Sequence, residues 1–392
     1  MAEIEKGLPN TRTKIDVPSE EEIAQEVAVQ EPEEQKGPIE VIPEEDGGVT
    51  LDFEPGAINV PGTESHFDNL ADILPDDVLE PIGNEMVQNY MDYKASRKDW
   101  EQGYIQGLDL LGFKYENRTE PLQGASGATH PVLAEAVTQF QAQAYKELLP
   151  ADGPVRTQIL GLETPAKQDQ ANRVKDFMNY QIMDQMKEYE PEFDQMLFYL
   201  PLSGSTFKKV YYDELLGRAV SKFIPADDLV VPYSATNLDD AEAVVHVIKM
   251  SENDLRKQQV GGFYKDITLN PPQMSSDEIT KKEQELEGIK QNKQDDIYTL
   301  LECHVNLDLE GFEDLDSQGM PTGIKLPYVV TVEESSRKVL SIRRNYAEND
   351  IKKNKTNYFV HFKFLPGLGF YGFGLIHMIG GLSRTATSAL RQ

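Results

Sequence analysis

The chain has 392 residues and a formal net charge of -29 at pH 7, with 39% hydrophobic and 27% charged residues. A chain of this length can bury a sizeable core and hold two or three domains. Its acidic surface disfavours binding to nucleic acid except where positive charge is concentrated. The single cysteine, Cys303, excludes an internal disulfide and fits a reducing compartment. No apolar run approaches the ~20 residues that span a bilayer, so no membrane insertion is expected.

Charge is unevenly distributed along the chain. Residues 1–80 contain 22 acidic and 4 basic side chains, a net of -18, whereas residues 351–392 contain no Asp or Glu and carry +6. The first segment is also rich in Pro and Gly, poor in aromatic residues and without sustained periodicity. Such a segment cannot bury enough apolar surface to offset its conformational entropy. Residues 1–80 are therefore predicted to be an acidic disordered tail.

Helical spacing begins near Met86 and continues to Leu111. A second helix is predicted to open at Thr129-His130-Pro131, where a cap precedes a first-turn proline, and to end at Pro150. A third follows Pro165. The first stripe consists of Tyr93, Arg97, Trp100, Tyr104, Leu108 and Leu111, and the third of Val174, Met178, Ile182 and Met186. We expect these stripes to face the core.

Strand patterns dominate residues 207–250 and return at residues 298–309, 328–333, 339–346 and 358–364. Residues 265–296 between them are polar, contain two adjacent prolines and predict a short helix over residues 277–293. We interpret them as a peripheral insertion. The last element is a helix from about Gly374 to the end of the chain. The overall prediction is an α+β fold with a strand-rich middle and a C-terminal helix.

The last helix predicts two faces. The apolar face, expected to be packed, consists of Leu375, Ile379, Leu382, Ala386 and Leu390. The opposite face consists of His377, Gly381, Arg384, Ser388 and Arg391. It is either an ordinary solvated surface or a basic stripe that meets DNA or a neighbouring subunit. The candidate DNA-facing or inter-subunit residues are therefore Lys352, Lys353, Lys355, Lys363, His377, Arg384 and Arg391.

The glycines of Gly367-x-Gly369-x-x-Gly372 follow a strand and precede a helix, the context in which a dinucleotide fingerprint is worth testing. No acidic residue follows Asp350 to bind ribose hydroxyls, and the preceding residues do not alternate strands and helices. We interpret the segment as a flexible glycine-rich joint, and no cofactor is expected.

Other motifs that would indicate enzyme chemistry are incomplete. The run from Asp314 to Gly319 begins like a calcium loop, but its twelfth position is Lys325 rather than a bidentate Glu. No two of the six histidines have metal-ligand spacing, and there is no phosphate-binding Gly-Lys-Ser/Thr run. No carboxylate pair stands in an apolar setting that would raise its pKa. We therefore predict no catalytic residue, no metal site and no enzymatic activity.

Three stretches carry an order of elements that a known family shares. The first, residues 100–150, is a helix, then Gly124-Ala125-Ser126-Gly127, then a second helix. The second, residues 204–249, is strand, turn and strand, then the apolar segment with Asp227-Asp228, then Asp239-Asp240-Ala241-Glu242 leading into another strand. The third runs from Pro366 through the glycine-rich joint into the last helix.

This order resembles the portal proteins of tailed bacteriophages, of the podovirus-like kind, over roughly residues 85–392. The resemblance implies a ring of twelve subunits at one capsid vertex, through which double-stranded DNA is packaged and ejected. It also implies a division into a wing over residues 81–295, with the polar insertion 265–296, and a strand-rich clip and stem region over residues 297–365. Residues 366–392 would be the glycine-rich joint and a truncated helix: either the sequence is a fragment, or the second stem helix and the crown are missing.

The partners that the resemblance implies are further copies of the chain, the major capsid and scaffold proteins, the terminase large subunit, tail adaptor proteins and viral DNA in transit. The location it implies is the virion, with assembly in the host cytoplasm. Two alternatives remain open: another capsid-associated structural or scaffold protein, and a nucleotide-binding enzyme built on the glycines at 367–374. A helical scaffold would lack the dense strand patterns, so strand content distinguishes the first alternative.

Overall fold

A computed structural model describes residues 65–113, 126–213, 216–272, 277–289, 297–315 and 319–391, and the backbone of two short strands nearer the N-terminus. The chain forms two compact units that divide between Thr63 and Glu64. In the first unit, β1 (Glu40–Pro43) and β2 (Val49–Asp52) pair antiparallel. The second unit is a mixed α+β fold. No helix among the described residues is long and apolar enough to cross a membrane.

The folded unit begins earlier than the sequence predicts. Leu70 and Ala71 form part of a short 3-10 helix and are completely buried. The buried side chain of Asn69 donates to the carbonyl of Leu340 at 3.2 Å and accepts from the amide of Ile342 at 2.9 Å. It thereby pairs with the outer edge of the sheet, as a further strand would. The boundary of the acidic tail at residue 80 is therefore wrong, and residues 1–39, 44–48 and 53–64 lie outside the described residues.

Eight α-helices occur among the described residues of this unit. They are α1 (Asp76–Ser96), α2 (Lys98–Asp109), α3 (Val132–Leu148), α4 (Pro165–Tyr180), α5 (Tyr189–Ser203), α6 (Glu252–Val260), α7 (Glu278–Glu287) and α8 (Leu375–Arg391). The predicted helices are thus present, with α1 starting ten residues before Met86. A π-helical turn, Gln181–Gln185, follows α4.

Two antiparallel sheets form the middle of the unit. Their strands are β3 (Ser205–Asp213), β4 (Arg218–Pro225), β5 (Leu229–Val230), β6 (Ala243–Ser251), β7 (Ile297–Leu307), β8 (Leu326–Glu333), β9 (Val339–Arg344) and β10 (Phe359–Lys363). One sheet has the order β10-β3-β4 and the other β5-β6-β7-β8-β9. The main core lies between the larger sheet and α1, where Met86 and Val87 pack with Val330.

The predicted division between residues 295 and 297 does not separate two bodies. Strand β6, before that point, pairs over its whole length with β7, after it. The intervening segment is also not peripheral, because Ile279 of α7 is 1% exposed and packs with Tyr104 and Leu108 of α2. Residues 64–392 therefore form one compact unit in which the predicted wing and clip share a sheet.

The buried face of the last helix only partly matches the predicted one, of which Leu375 and Ile379 are half-buried and pack against the core. Its buried residues are Ile376, Gly380, Ser383 and Thr387. Leu382 and Leu390, predicted to be packed, are 69% and 55% exposed. The small residues allow close packing on α2, where a Cβ added to Gly107 would lie 2.3 Å from Ile376 Cδ1. Backbone approach, rather than the size of the apolar side chains, selects the buried face.

Candidate functional site

The predicted basic residues do not form one surface. Lys352, Lys353 and Lys355 line an open groove together with Asp239, Asp240 and Asp314. The ammonium of Lys353 lies 2.6 Å from Asp314 Oδ1. That of Lys355 donates to two backbone carbonyls, of Leu238 at 3.0 Å and Ala241 at 3.2 Å. The groove therefore has mixed charge, and two of its three predicted lysines have partners within the chain.

The remaining predicted residues are separated from this groove. Lys363 lies on β10, and Nδ1 of His377 accepts a hydrogen bond from the amide of Gly374 at 3.0 Å. Arg384 lies 3.4 Å from Gln106 Oε1. Arg391 donates to the carbonyl of Ala128 at 2.7 Å. The stripe of His377, Arg384 and Arg391 thus has separate local contacts, and Arg391 connects α8 to the segment before α3.

A buried arginine makes five side-chain hydrogen bonds. Arg97 stands between α1 and α2 and is 7% exposed. Its Nε donates to Glu101 at 2.8 Å, and Nη1 donates to the carbonyls of Ala226 and Leu229 at 2.9 Å each. Nη1 also donates to Tyr371 Oη at 2.8 Å, and Nη2 donates to the carbonyl of Asp227. The planar guanidinium suits this set of acceptors because its donors are fixed in a fork.

Aromatic rings surround this guanidinium. The ring of Trp100 stacks on that of Tyr371, with centroids 4.8 Å apart, and on that of Tyr104 at 5.7 Å. The carbon at the centre of the Arg97 guanidinium lies 5.6 Å from the Trp100 ring, within cation–π range. Burial would lower the pKa of Arg97, but Tyr371 and Glu101 hold it above its ordinary value. The arginine is therefore a permanent buried cation.

The glycine-rich joint packs against the end of α5. The amide of Gly372 donates to Ser205 Oγ at 2.7 Å. Gly204 has φ +87°, and a Cβ added there would lie 2.4 Å from the amide nitrogen of Gly374. The glycines at 372 and 374 thus permit backbone-to-backbone contact. Together with Arg97, this contact joins α2, the segment after β4 and the glycine-rich joint. Each of these belongs to one of the three stretches that carry the resemblance.

Three carboxylates lie beside this junction. Burial raises the pKa of Asp227 and Asp228, with the pKa of Asp228 at about 7. Burial and the charge of Asp227 raise the pKa of Glu283, on α7, to about 8. Lys249 Nζ lies 4.0 Å from Asp228 Oδ1, and its charge offsets the rise in the pKa of Asp228 only in part. The prediction that no carboxylate pair stands in an apolar setting is therefore wrong.

The raised pKa of Glu283 should make the free energy of unfolding depend on pH. Because its pKa is higher in the fold than in the unfolded chain, stability falls as pH rises from about 4.5 towards about 8 and then levels off. We expect Glu283→Gln to raise the free energy of unfolding by about 1–2 kcal/mol at pH 8.5 and to leave it unchanged at pH 5, where Glu283 is protonated. Urea denaturation at both pH values measures this. The exposed Glu147→Gln is the matched control, and equal effects at the two pH values would contradict the prediction.

A second buried charge cluster lies between the sheets. Glu302 on β7 has its two carboxylate oxygens 2.6 Å from the Lys209 ammonium, and Oε1 is 2.8 Å from His304 Nε2. His246 Nδ1 lies 3.9 Å from the same oxygen, beyond hydrogen-bond distance. Burial alone would raise the pKa of Glu302, but Lys209 and the histidines hold it well below its usual range. Burial lowers the pKa of His246. The cluster connects β3 to the larger sheet.

Chemically, these groups form fixed internal contacts. No group of three or more His, Cys, Asp or Glu among the described residues has the geometry of a metal site. Sequence reasoning missed the Arg97 junction, although the signal was present: Arg97 is the one charged residue in an otherwise apolar or aromatic stripe. It also missed Glu302, the one acidic residue between Tyr298 and Leu307.

Neither a scan of the chain against protein-family models nor a search of curated proteins gave a match.

Proposed function

We propose that this chain is a portal subunit: one member of a ring through which viral double-stranded DNA enters and leaves a capsid. The observation that carries the proposal is the Arg97 junction. The stretches that carry the resemblance are far apart in sequence, yet α2, the segment after β4 and the glycine-rich joint meet at one buried guanidinium. A common structural role for the three stretches explains why they occur together in one chain.

The junction gives the last helix a fixed origin. Tyr371 binds Arg97 and the carbonyl of Leu229, and α8 begins four residues later. Strain applied to α8 would thus pass directly to α2 and to the larger sheet. In a ring, this arrangement would hold α8 in place while DNA moves through the channel.

The charge of the chain suits a conduit. Each phosphate that a protein neutralises adds salt-dependent affinity, which a moving duplex must lose at every step. The predicted basic residues are few, and several are engaged by acidic or carbonyl groups of the same chain. A subunit of this kind would guide DNA without holding it. The strand content also disfavours an elongated helical scaffold, because eight strands lie among the described residues of the folded unit.

Mass and symmetry of the purified particle test the proposal. We expect mass photometry to give a particle near twelve times the 44.2 kDa of the chain, and we expect electron microscopy to show a closed ring with a central channel. A stable monomer at micromolar concentration, or an open filament, would contradict it. Binding of a nucleotide measured by calorimetry would favour the enzyme alternative.

A further inference from the structure

Helix α4 contacts the rest of the described chain mainly through the loop of residues 152–157 that precedes it. No residue of α4 is buried. Asn179 provides most of the polar contact: its Oδ1 accepts from the amide of Val155 at 2.9 Å, and its Nδ2 lies 3.3 Å from the carbonyl of Asp152. Thr157 Oγ1 donates to the carbonyl of Ala171 at 3.2 Å. We call residues 154–180 the α4 arm.

The apolar side of α4 is no better covered than its polar side. Its half-buried side consists of Ala171, Lys175 and Asn179. Its apolar side, with Val174, Phe177 and Met178, faces solvent at 45%, 58% and 42% exposure. A surface helix normally buries its apolar stripe. The sequence-based expectation that Val174 and Met178 face the core is wrong, and the outward stripe is available to another molecule.

The exposed apolar surface is of the size that a stable interface requires. Leu160 and Leu162, just before α4, are 87% and 79% exposed, and Tyr180 at its end is 50% exposed. At on the order of 200 Å² for each fully exposed large side chain, these three and the stripe present roughly 700 Å². A standard protein interface buries about 800 Å² per partner.

The net charge of the α4 arm favours a second copy of this chain as its partner. Residues 154–180 contain Arg156, Lys167, Arg173 and Lys175 against Glu163, Asp169 and Asp176, a net of +1. The folded unit, residues 64–392, carries -17, because residues 1–63 contribute -12 of the chain's -29. An arm that is slightly basic and apolar complements the acidic body of another copy, whereas two acidic bodies would repel each other.

We propose that the outward stripe of the α4 arm docks on a second copy of this chain and is a main contact between subunits. This inference rests on the proposed function for the closed ring, but the contact itself needs only a second copy. The helix gains from docking, because an isolated 16-residue helix is only marginally stable in water.

Paired charge insertions test the arm. In Phe177→Glu with Met178→Glu, two negative charges enter the apolar stripe, and we expect the dissociation constant for self-association to rise at least tenfold. The control, Gln168→Glu with Asn172→Glu, adds the same charge at exposed positions on the other side of α4 and should leave the constant unchanged. Mass photometry and light scattering measure it. Circular dichroism should show both variants folded, since no residue of α4 is buried.

A crosslink identifies what the arm contacts. Cys303 is completely buried, so the thiol of Phe177→Cys is the accessible one for a benzophenone maleimide. We expect illumination to join two copies of the chain, and the same label at Asn172→Cys to do so far less. Crosslinks confined to one chain, or to a different protein in place of a second copy, would overturn the inference.

The outcomes separate the arm from the ring. Unchanged assembly in the Phe177→Glu, Met178→Glu variant would overturn the arm and leave the ring proposal standing. Arm-dependent dimers or open filaments in the parent protein would support the arm and overturn the ring. A monomeric parent protein would overturn both.

Discussion

Replacing Arg97 with methionine is expected to lower the free energy of unfolding by about 3–5 kcal/mol, because it removes one partner from a buried charged network. The side chain has five acceptors: Glu101, three backbone carbonyls and Tyr371. Methionine fills similar volume but cannot donate a hydrogen bond. Glu101 and the carbonyls of Ala226 and Asp227 therefore lose the guanidinium donor, whereas the carbonyl of Leu229 keeps Tyr371 Oη. Equilibrium urea denaturation, followed by the fluorescence of the adjacent Trp100, measures the loss.

Two further variants separate charge from geometry. Arg97→Lys keeps the charge but lacks the planar fork, so it should recover only part of the loss. Arg384→Met removes an exposed arginine and should change stability by less than about 0.5 kcal/mol. If Arg97→Met behaves like Arg384→Met, the junction does not hold the three stretches together, and the observation that carries the proposed function is lost.

The strands and the buried stripe of Tyr104, Leu108 and Leu111 were predictable, whereas the buried faces of α4 and α8 were not. Residues 298–309 and 328–333 show the apolar composition of buried strands, and β7 and β8 occupy almost the same residues. In α8 the residue that decides the packing is Gly107 of α2, about 270 positions away in sequence. The pattern of α8 alone cannot show that a glycine opposite it admits Ile376 rather than Leu382.

The candidate site was less predictable because its contacts join distant segments. Lys353 and Lys355 were selected for the absence of acidic residues near them in sequence, yet Asp314 and two carbonyls of residues 238–241 reach them in the fold. Arg97 was assigned to a core-facing stripe, and it is indeed buried. Its role depends on carbonyls after β4 and on Tyr371, which a local pattern does not reveal.

The start of the folded unit shows the same limit. Residues 65–80 have the acidic composition of the preceding segment, with Asp68, Asp72, Asp76 and Asp77. Composition therefore extends the tail to residue 80. Leu70 and Leu74 are nevertheless buried, because the exposed edge of β9 provides a surface for them and for Asn69. A few apolar residues are enough to fold an acidic segment where a strand edge is present for it to pack against.

A single methyl group at Gly204 is expected to destabilise the fold by about 3 kcal/mol or more. Gly204 ends α5 in the left-handed region at φ +87°, where an L-residue costs about 1–2 kcal/mol. The added Cβ of Gly204→Ala would also lie 2.4 Å from Gly374 N and 2.6 Å from the Gly372 carbonyl, and these backbone atoms cannot rotate away. The joint must then shift, and with it the start of α8.

Gly369→Ala is the matched control for Gly204→Ala, since a Cβ there meets nothing within 4 Å and its φ is not in the left-handed region. It should leave the free energy of unfolding within about 0.5 kcal/mol of the parent value. Urea denaturation compares the two, and mass photometry reports whether assembly follows stability. A fingerprint for a dinucleotide needs its middle glycine for close approach of the phosphates. If Gly369→Ala impaired nucleotide binding without changing the free energy of unfolding, and Gly204→Ala changed neither quantity, the glycine-rich loop would be a nucleotide-binding element. The reverse order of effects supports a packed joint at the base of the last helix.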